Sequence, residues 1–309
     1  MMFLLTLIAF LSIIKVSFTL TKVLVPAVYN EYDKESLPDW IANKDFIDKH
    51  NYSVFLYQKK DPNAPNYIAT NRGSEIGPYL RYIVDHYDNY PDVAMFVHAR
   101  PTDHQPHFLY LLDAISPNAT YININFNMKI CRYTDFWRSC CEVWVEQCWR
   151  ETLKVVWNMT RPEDQEAFNK KVPFTKPMLV CFIGSQQFVL SRAMVHRRPR
   201  EVWARLLHML GEDEVCVRGE PDYEHLYAYR RDHERVGPET PDIEAQHEGP
   251  KYGVKGWGRT TQGGTAEHLA HVIFGHYELD MNYPDQALIC QNFLPGLPHS
   301  PCPANYQYP

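Results

Sequence analysis

Residues 71–104 read Asn-Arg-Gly-Ser-Glu-Ile-Gly-Pro-Tyr-Leu-Arg-Tyr-Ile-Val-Asp-His-Tyr-Asp-Asn-Tyr-Pro-Asp-Val-Ala-Met-Phe-Val-His-Ala-Arg-Pro-Thr-Asp-His. Tyr79, Leu80, Ile83, Val84 and Tyr87 recur at helical spacing and form one wide apolar stripe. Arg81, Asp85, His86 and Asp88 take the other face. Pro78 suits the first helical turn, where a missing N–H costs nothing, and Pro91 ends the helix. Val93 to Val97 is an unbroken apolar run, too short for a helix and bounded by turn residues. Such a run predicts a strand covered on both faces. It leads straight into His98, Arg100, Asp103 and His104. In open α/β sheets ligands bind beyond the carboxyl ends of the strands, so this edge is the predicted functional edge.

Working outward, Lys22–Val28 predicts a first strand that ends in Tyr29-Asn30-Glu31, a polar loop with no G-x-G-x-x-G. A short helix is expected over 37–47, a second strand over Tyr52–Tyr57, and a helix over Phe108–Ile115. Tyr121 to Met128 alternates apolar residues with three asparagines, the pattern of a half-buried strand. Residues 131–157 hold four cysteines and four tryptophans, and read as an aromatic helical segment stapled by disulfides. Met178–Ile183 predicts another buried strand, ending at Gly184-Ser185-Gln186-Gln187. Pro199 opens a helix that Gly211 closes, and the arginines 197, 198 and 200 around its start are expected in a solvated turn. A stretch over 230–265 has no apolar period and reads as a lid or a disordered insert. A last helix is expected over His268–Tyr277, then a Pro-rich tail over the surface, tethered through Cys290 or Cys302.

The expected architecture is therefore one α/β domain over 20–280, with a mainly parallel central sheet flanked by helices, and a tail over 281–309. A length of 309 residues and a hydrophobic fraction of 45% allow a substantial core. A net charge of −6 lacks the basic footprint that a nucleic-acid partner needs.

Residues 1–19 read as a secretory signal peptide: an apolar run to Ile14, then Lys15 and the small-x-small pattern Ser17-Phe18-Thr19. The alternative is an uncleaved signal anchor, the one case that involves a membrane. Sequons at Asn51, Asn118 and Asn158 and an even count of eight cysteines fit secretion or an ER/Golgi lumen. None of the cysteines forms a C-x-x-C pair.

Several motifs carry a resemblance. They are Asn71-x-Gly-x-Glu75 before Pro-Tyr-Leu, the run His86-Tyr-Asp-Asn-Tyr-Pro-Asp92, the Phe-Val-His98 strand end, Gln187-Phe-Val-Leu-Ser-Arg192, and Glu267 with Val272-Ile-Phe-Gly275. In this order they resemble the eukaryotic family catalogued as domain of unknown function thirty-four thirty-one, over roughly residues 22–278. That family resembles, more weakly, glycosyltransferases of GT-A type, a Rossmann-like fold, through the Val-Pro-Ala-Val-Tyr-Asn30-Glu31 entry and the 187–192 segment. This chain departs from the pattern at Ser74, where relatives more often have Arg, and at His268 and Ala270, which replace Arg and Trp. No Asp-x-Asp follows the Val93–Val97 strand, where a GT-A enzyme holds its metal.

The resemblance implies a nucleotide-sugar donor and a glycan or protein acceptor. Such transfer needs the leaving diphosphate neutralised, the acceptor hydroxyl deprotonated, and the transition state shielded from water. His98, Asp103 and His104 are the candidate ligands of a divalent metal, manganese or magnesium. Arg100 or Arg192 would replace that metal. Glu267 and Asp103 are the candidate catalytic acids or bases, and Asn30, Glu31, Arg72 and Glu75 complete the expected substrate contacts. Each has a structural counterpart reading: a strand-end histidine is commonly scaffold, and Glu75 suits a helix N-terminus on electrostatic grounds alone. No G-x-S-x-G elbow supports a serine hydrolase. The competing function is a catalytically silent, secreted α/β protein that binds a carbohydrate or protein ligand.

Overall fold

Strand β1 (Lys22–Val28) lies parallel to β4 (Val93–His98), with Lys22 opposite Val93 and Ala27 opposite His98. Both strands therefore end at the same edge of the sheet. The computed structural model describes residues 20–28, 31–32, 37–59, 61–68, 75–125, 129–133, 143–158, 179–211, 263–275 and 284–307. The expected lid over 230–265 falls almost wholly outside these, as do residues 1–19.

Two short strands, β2 (Ser53–Val54) and β3 (Tyr57–Gln58), also run parallel to β1 on its outer side. They are the single strand expected at 52–57, interrupted at Phe55 and Leu56. Beyond β4 the direction changes. Strand β8 (Phe188–Ser191) is antiparallel to β4, and β5 (Tyr121–Asn123) is antiparallel to β8. The six-stranded sheet is thus mixed, parallel on one side and antiparallel on the other. Strands β6 (Lys129–Tyr133) and β7 (Leu179–Ile183) form a separate antiparallel pair.

The period-2 alternation of strand side chains divides the core in two. Ala94 and Phe96 of β4 face one cluster, joined by Val25, Phe188, Leu190 and Tyr121. Val93, Met95 and Val97 face the other, with Leu24, Val189 and Ile122. Helices close both faces, as the continuous apolar run of β4 predicted.

On the first face lie α3 (Ile76–Asp85), α7 (Arg200–Gly211) and the helix over 263–275, whose last turn, His271–Gly275, is π-helical. Helices α3 and α7 touch at two glycines. A Cβ on Gly211 would stand 2.7 Å from the Gly77 Cα, so only glycine permits this approach. The aromatic helix α5 (Val143–Val156) adds Trp149 and Leu153, and Cys148 and Cys181 are each in a disulfide.

The second face is covered by α1 (Asp39–Ala42), α4 (Phe108–Asp113) and the C-terminal helix (Gln286–Asn292). Helix α2 (Lys44–Lys49) follows α1 after a break at Asn43, whose side chain caps it. Between β8 and α7 stands the single turn α6 (Arg192–Val195).

Three expectations need correcting. The tail is more than a surface strap: Cys290, Phe293 and Cys302 are buried in the second core, and Ile115 bridges to Phe293. The disulfide Cys290–Cys302 closes the tail on itself, across 12 residues. Arg198 is buried rather than solvated, donating from Nη2 to the Val272 carbonyl at 2.7 Å and stacking over Trp203. Finally, of the half-buried strand expected over Tyr121–Met128, residues 126–128 lie outside the described residues, and the described part is buried throughout, Asn123 and Asn125 included.

Candidate active site at the carboxyl edge of β1 and β4

His98 closes β4, and its backbone N–H donates to Gln187 Oε1 at 3.1 Å. Gln187 is fully buried just before β8. Its Nε2 reaches the Pro101 carbonyl at 3.2 Å and Asn125 Oδ1 at 3.4 Å. One amide therefore ties the end of β4, the 3₁₀ turn Pro101–Asp103 and the end of β5 into one floor. Buried amides are satisfied this way because an orphaned one costs about 1–3 kcal/mol.

Ser185 sits at φ +59°, a left-handed conformation that costs a non-glycine residue on the order of 1–3 kcal/mol. Its surroundings hold it there. The Ser185 carbonyl accepts from Asn123 Nδ2 at 3.2 Å, Asn125 Nδ2 at 3.0 Å and the Gln187 backbone N–H at 2.8 Å. The Ser185 N–H is thereby aimed at Glu267, whose Oε1 accepts it at 2.9 Å.

Glu267 lies on the helix over 263–275. Burial pushes its carboxyl above the usual range, against the pull of the Ser185 N–H; the charge on Glu75 raises it further and His104 lowers it. His98 is pushed down, first by burial and also by His104, while Glu75, Glu31 and Asp103 pull it up. The His98 and His104 rings meet edge to face at 5.3 Å. Tyr32 donates its hydroxyl to the Ala99 carbonyl, and its pKa is raised by burial, with Arg100 opposing and Glu31 and Asp103 assisting.

Glu31, Glu75, His98, Arg100, Asp103, His104 and Glu267 thus share one electrostatic neighbourhood. Glu31, Arg100, Asp103 and His104 are exposed on its rim, and His98, Glu75 and Glu267 sit deeper. Asn30 and Arg72 lie outside the described residues. Arg192 does not join the group. It follows β8 at the opposite edge of the sheet, where Nε donates to the Tyr90 carbonyl at 2.6 Å and Nη2 stands 3.3 Å from Asp92 Oδ1. The sequon asparagines 51, 118 and 158 are exposed on turns.

Sequence reasoning missed Ser185, Asn123, Asn125 and Tyr32. The available signal was the asparagine repeat: asparagine is depleted in strands, so a strand carrying it signals a hydrogen-bonding task.

Over residues 27–222 the sequence matches the family described as Protein of unknown function (DUF3431). The chain belongs to this family. No curated protein and no solved structure matches it. The matched segment supplies the strand ends, Glu75, His98 and the Asn/Gln floor, whereas Glu267 lies beyond it.

Proposed function

We propose that this chain is a glycosyltransferase-like enzyme of the secretory pathway, with a Rossmann-type GT-A scaffold, that uses a nucleotide-sugar donor. The observation that carries the reading is Glu267: a half-buried carboxyl, raised above its ordinary range by burial, held by one backbone N–H and within the electrostatic reach of Glu75 and His104. A base for an acceptor hydroxyl works best when poised near the operating pH, and burial supplies that shift.

In the transfer step the acceptor oxygen bonds to the anomeric carbon. Glu267 takes the hydroxyl proton, and the nucleoside diphosphate leaves with the electron pair of the broken bond. Arg100, on the rim, faces the developing charge of the leaving group. Glu31 and Asp103 receive sugar hydroxyls. Among the described residues no three His, Cys, Asp or Glu side chains converge as a metal site. His98, Asp103 and His104 do not fit a preformed ligand set, so no step here runs through a metal.

Support for the pathway comes from the disulfide chemistry, since cross-links persist in oxidising compartments. No described helix is long and apolar enough to cross a membrane.

The test is a thermal-shift screen of nucleotide sugars, with and without manganese, on wild type and Glu267→Gln, followed by a transfer assay. A donor at a hundred times its dissociation constant should stabilise by about 2.7 kcal/mol. Donor binding by both proteins and transfer by the wild type alone is the expected result. Binding without turnover in the wild type would establish the silent binding protein instead, and no shift with any donor would overturn the reading.

A further inference from the structure

A cavity of about 800 Å³ opens at the far edge of the sheet, where the chain enters β5. Its walls come from three places: Pro117–Thr120, Ala193 of α6, and the C-terminal segment through Asp285, Leu288, Gln291 and Tyr306. This edge is opposite His98, because Ser191, two residues before Ala193, pairs with Val93 at the start of β4.

One wall is itself a modification motif. Asn118-Ala-Thr120 is a sequon, and both its asparagine and its threonine line the cavity. The backbone around it is fixed. The Asn118 N–H donates to Ser116 Oγ at 3.1 Å, and the Thr120 N–H donates to Asn292 Oδ1 at 2.9 Å. Asn118 itself is exposed, so its amide stands at the mouth of the space it lines. The opposite wall offers an aromatic ring, Tyr306, and the aliphatic Leu288, with the Gln291 amide and the Asp285 carboxylate beside them. An apolar platform edged by a few polar groups is what a pyranose needs, since a sugar ring presents an apolar face and a polar rim.

We propose that this cavity seats the first N-acetylglucosamine of a glycan carried on Asn118. In forming the linkage, Asn118 Nδ2 bonds to the anomeric carbon of a lipid-linked oligosaccharide. The lipid diphosphate leaves, and the amide gives up one proton. The attached sugar then folds back over its own carrier. Its apolar face covers Tyr306 and Leu288, and its hydroxyl and acetamido groups meet Gln291 and Asp285. The glycan thereby joins the β5 entrance to the C-terminal segment, which the Cys290–Cys302 disulfide already holds closed. The seat requires secretion but is independent of the catalytic reading, because it lies at the other edge of the sheet.

The full-length chain, secreted from a eukaryotic host, provides the test. Peptide mapping should find Asn118 occupied. Trimming to a single N-acetylglucosamine should leave the melting temperature in place, whereas complete amidase removal should lower it by about 1–2 °C, the shift of one modest interaction in a chain of this length. Thr120→Ala, which blocks attachment at this site, should melt like the fully deglycosylated protein. Asn118→Asp controls for the aspartate that the amidase leaves behind. Gln291→Ala should keep Asn118 occupied while shrinking the difference between trimmed and fully deglycosylated protein. An unmodified Asn118, or complete removal with no change in melting, would overturn the proposal. Neither result would bear on donor binding at the carboxyl edge of β1 and β4.

Discussion

The Ser185 backbone N–H donates to Glu267 Oε1 at 2.9 Å, from a residue held in the left-handed region at φ +59°. Three further hydrogen bonds on the Ser185 carbonyl fix that turn. A strained residue so heavily over-determined aims one donor, and here the donor meets the half-buried Glu267 carboxyl.

Glu267 should make stability depend on pH in a defined direction. Its folded pKa is raised, so between the unfolded and folded values the native state holds a proton that the unfolded chain has lost. Stability from this group therefore falls as pH rises through that window. Glu267→Gln keeps an oxygen for the Ser185 N–H and removes the titration. Melting curves from pH 4 to 8 should show the variant gaining on wild type as pH rises; parallel curves would mean the carboxyl is unshifted.

His268 predicts the opposite limb. It is 4% exposed, packed 4.3 Å from the Phe182 ring and 5.3 Å from Trp149, and burial lowers its pKa to about 3. The unfolded imidazole takes a proton near pH 6.5 and the folded one does not, so stability is lost as pH falls below that value. At roughly 1.4 kcal/mol per pH unit the loss reaches several kcal/mol by pH 3.5. His268→Gln should flatten the acid limb in denaturant titrations.

Phe96 lies fully buried between Tyr79 at 5.0 Å and Phe188 at 5.0 Å, ring centre to ring centre. Phe96→Asp puts an unpaired charge there, at a cost on the order of 3–5 kcal/mol, and should abolish soluble secretion. Phe96→Leu should retain it. Secretion yield and denaturant midpoint measure both.

How far the sequence disclosed this molecule depends on what each element contacts. The strand Val93–His98 and the helix Ile76–Asp85 were legible because both bury a continuous apolar pattern. The edge that gathers His98, Asp103 and His104 followed from the strand's direction. The placement of β8 did not follow: an apolar run of four residues carries no mark of antiparallel insertion beside β4. The tail misled for a different reason. Its prolines read as surface chain, while Cys290, Phe293 and Cys302 supply a core that only long-range packing reveals. The Asn123–Asn125–Gln187 floor was only half legible: asparagines alternating with apolar residues read as the solvent face of a half-buried strand, although their scarcity in strands was itself a signal.

The Cys290–Cys302 cross-link spans 12 residues and sits under the second core. Loop-closure entropy for a ring of that size gives about 3 kcal/mol, acting mainly on the unfolded chain. The double variant Cys290→Ala/Cys302→Ala should lose about 2–3 kcal/mol by chemical denaturation with no change in the wild-type register of β5. Equal stability of the two proteins would show that the closed loop adds nothing to the fold.

Two arginines now make opposite predictions, although the sequence offered them as equivalents. Arg192 is anchored at the far edge, committed to the Tyr90 carbonyl and to Asp92, whose carboxylate also accepts from Thr21. Its task there is to join the start of β4 to the end of β8. Arg192→Ala should cost a modest amount of stability, about 1 kcal/mol for a half-exposed pair backed by a carbonyl bond, and leave donor affinity unchanged. Arg100 is exposed at the carboxyl edge of β1 and β4, close enough to Tyr32 to act on its hydroxyl together with Glu31 and Asp103. On the proposed glycosyltransferase reading, removing it takes away the cation that would face a departing diphosphate. Arg100→Ala should therefore leave the melting temperature of the free protein in place, weaken nucleotide-sugar binding about tenfold, the equivalent of about 1.4 kcal/mol, and lower turnover further. Isothermal titration with the best donor from the screen separates the two. Loss of binding in Arg192→Ala with full binding in Arg100→Ala would move the donor to the opposite edge of the sheet.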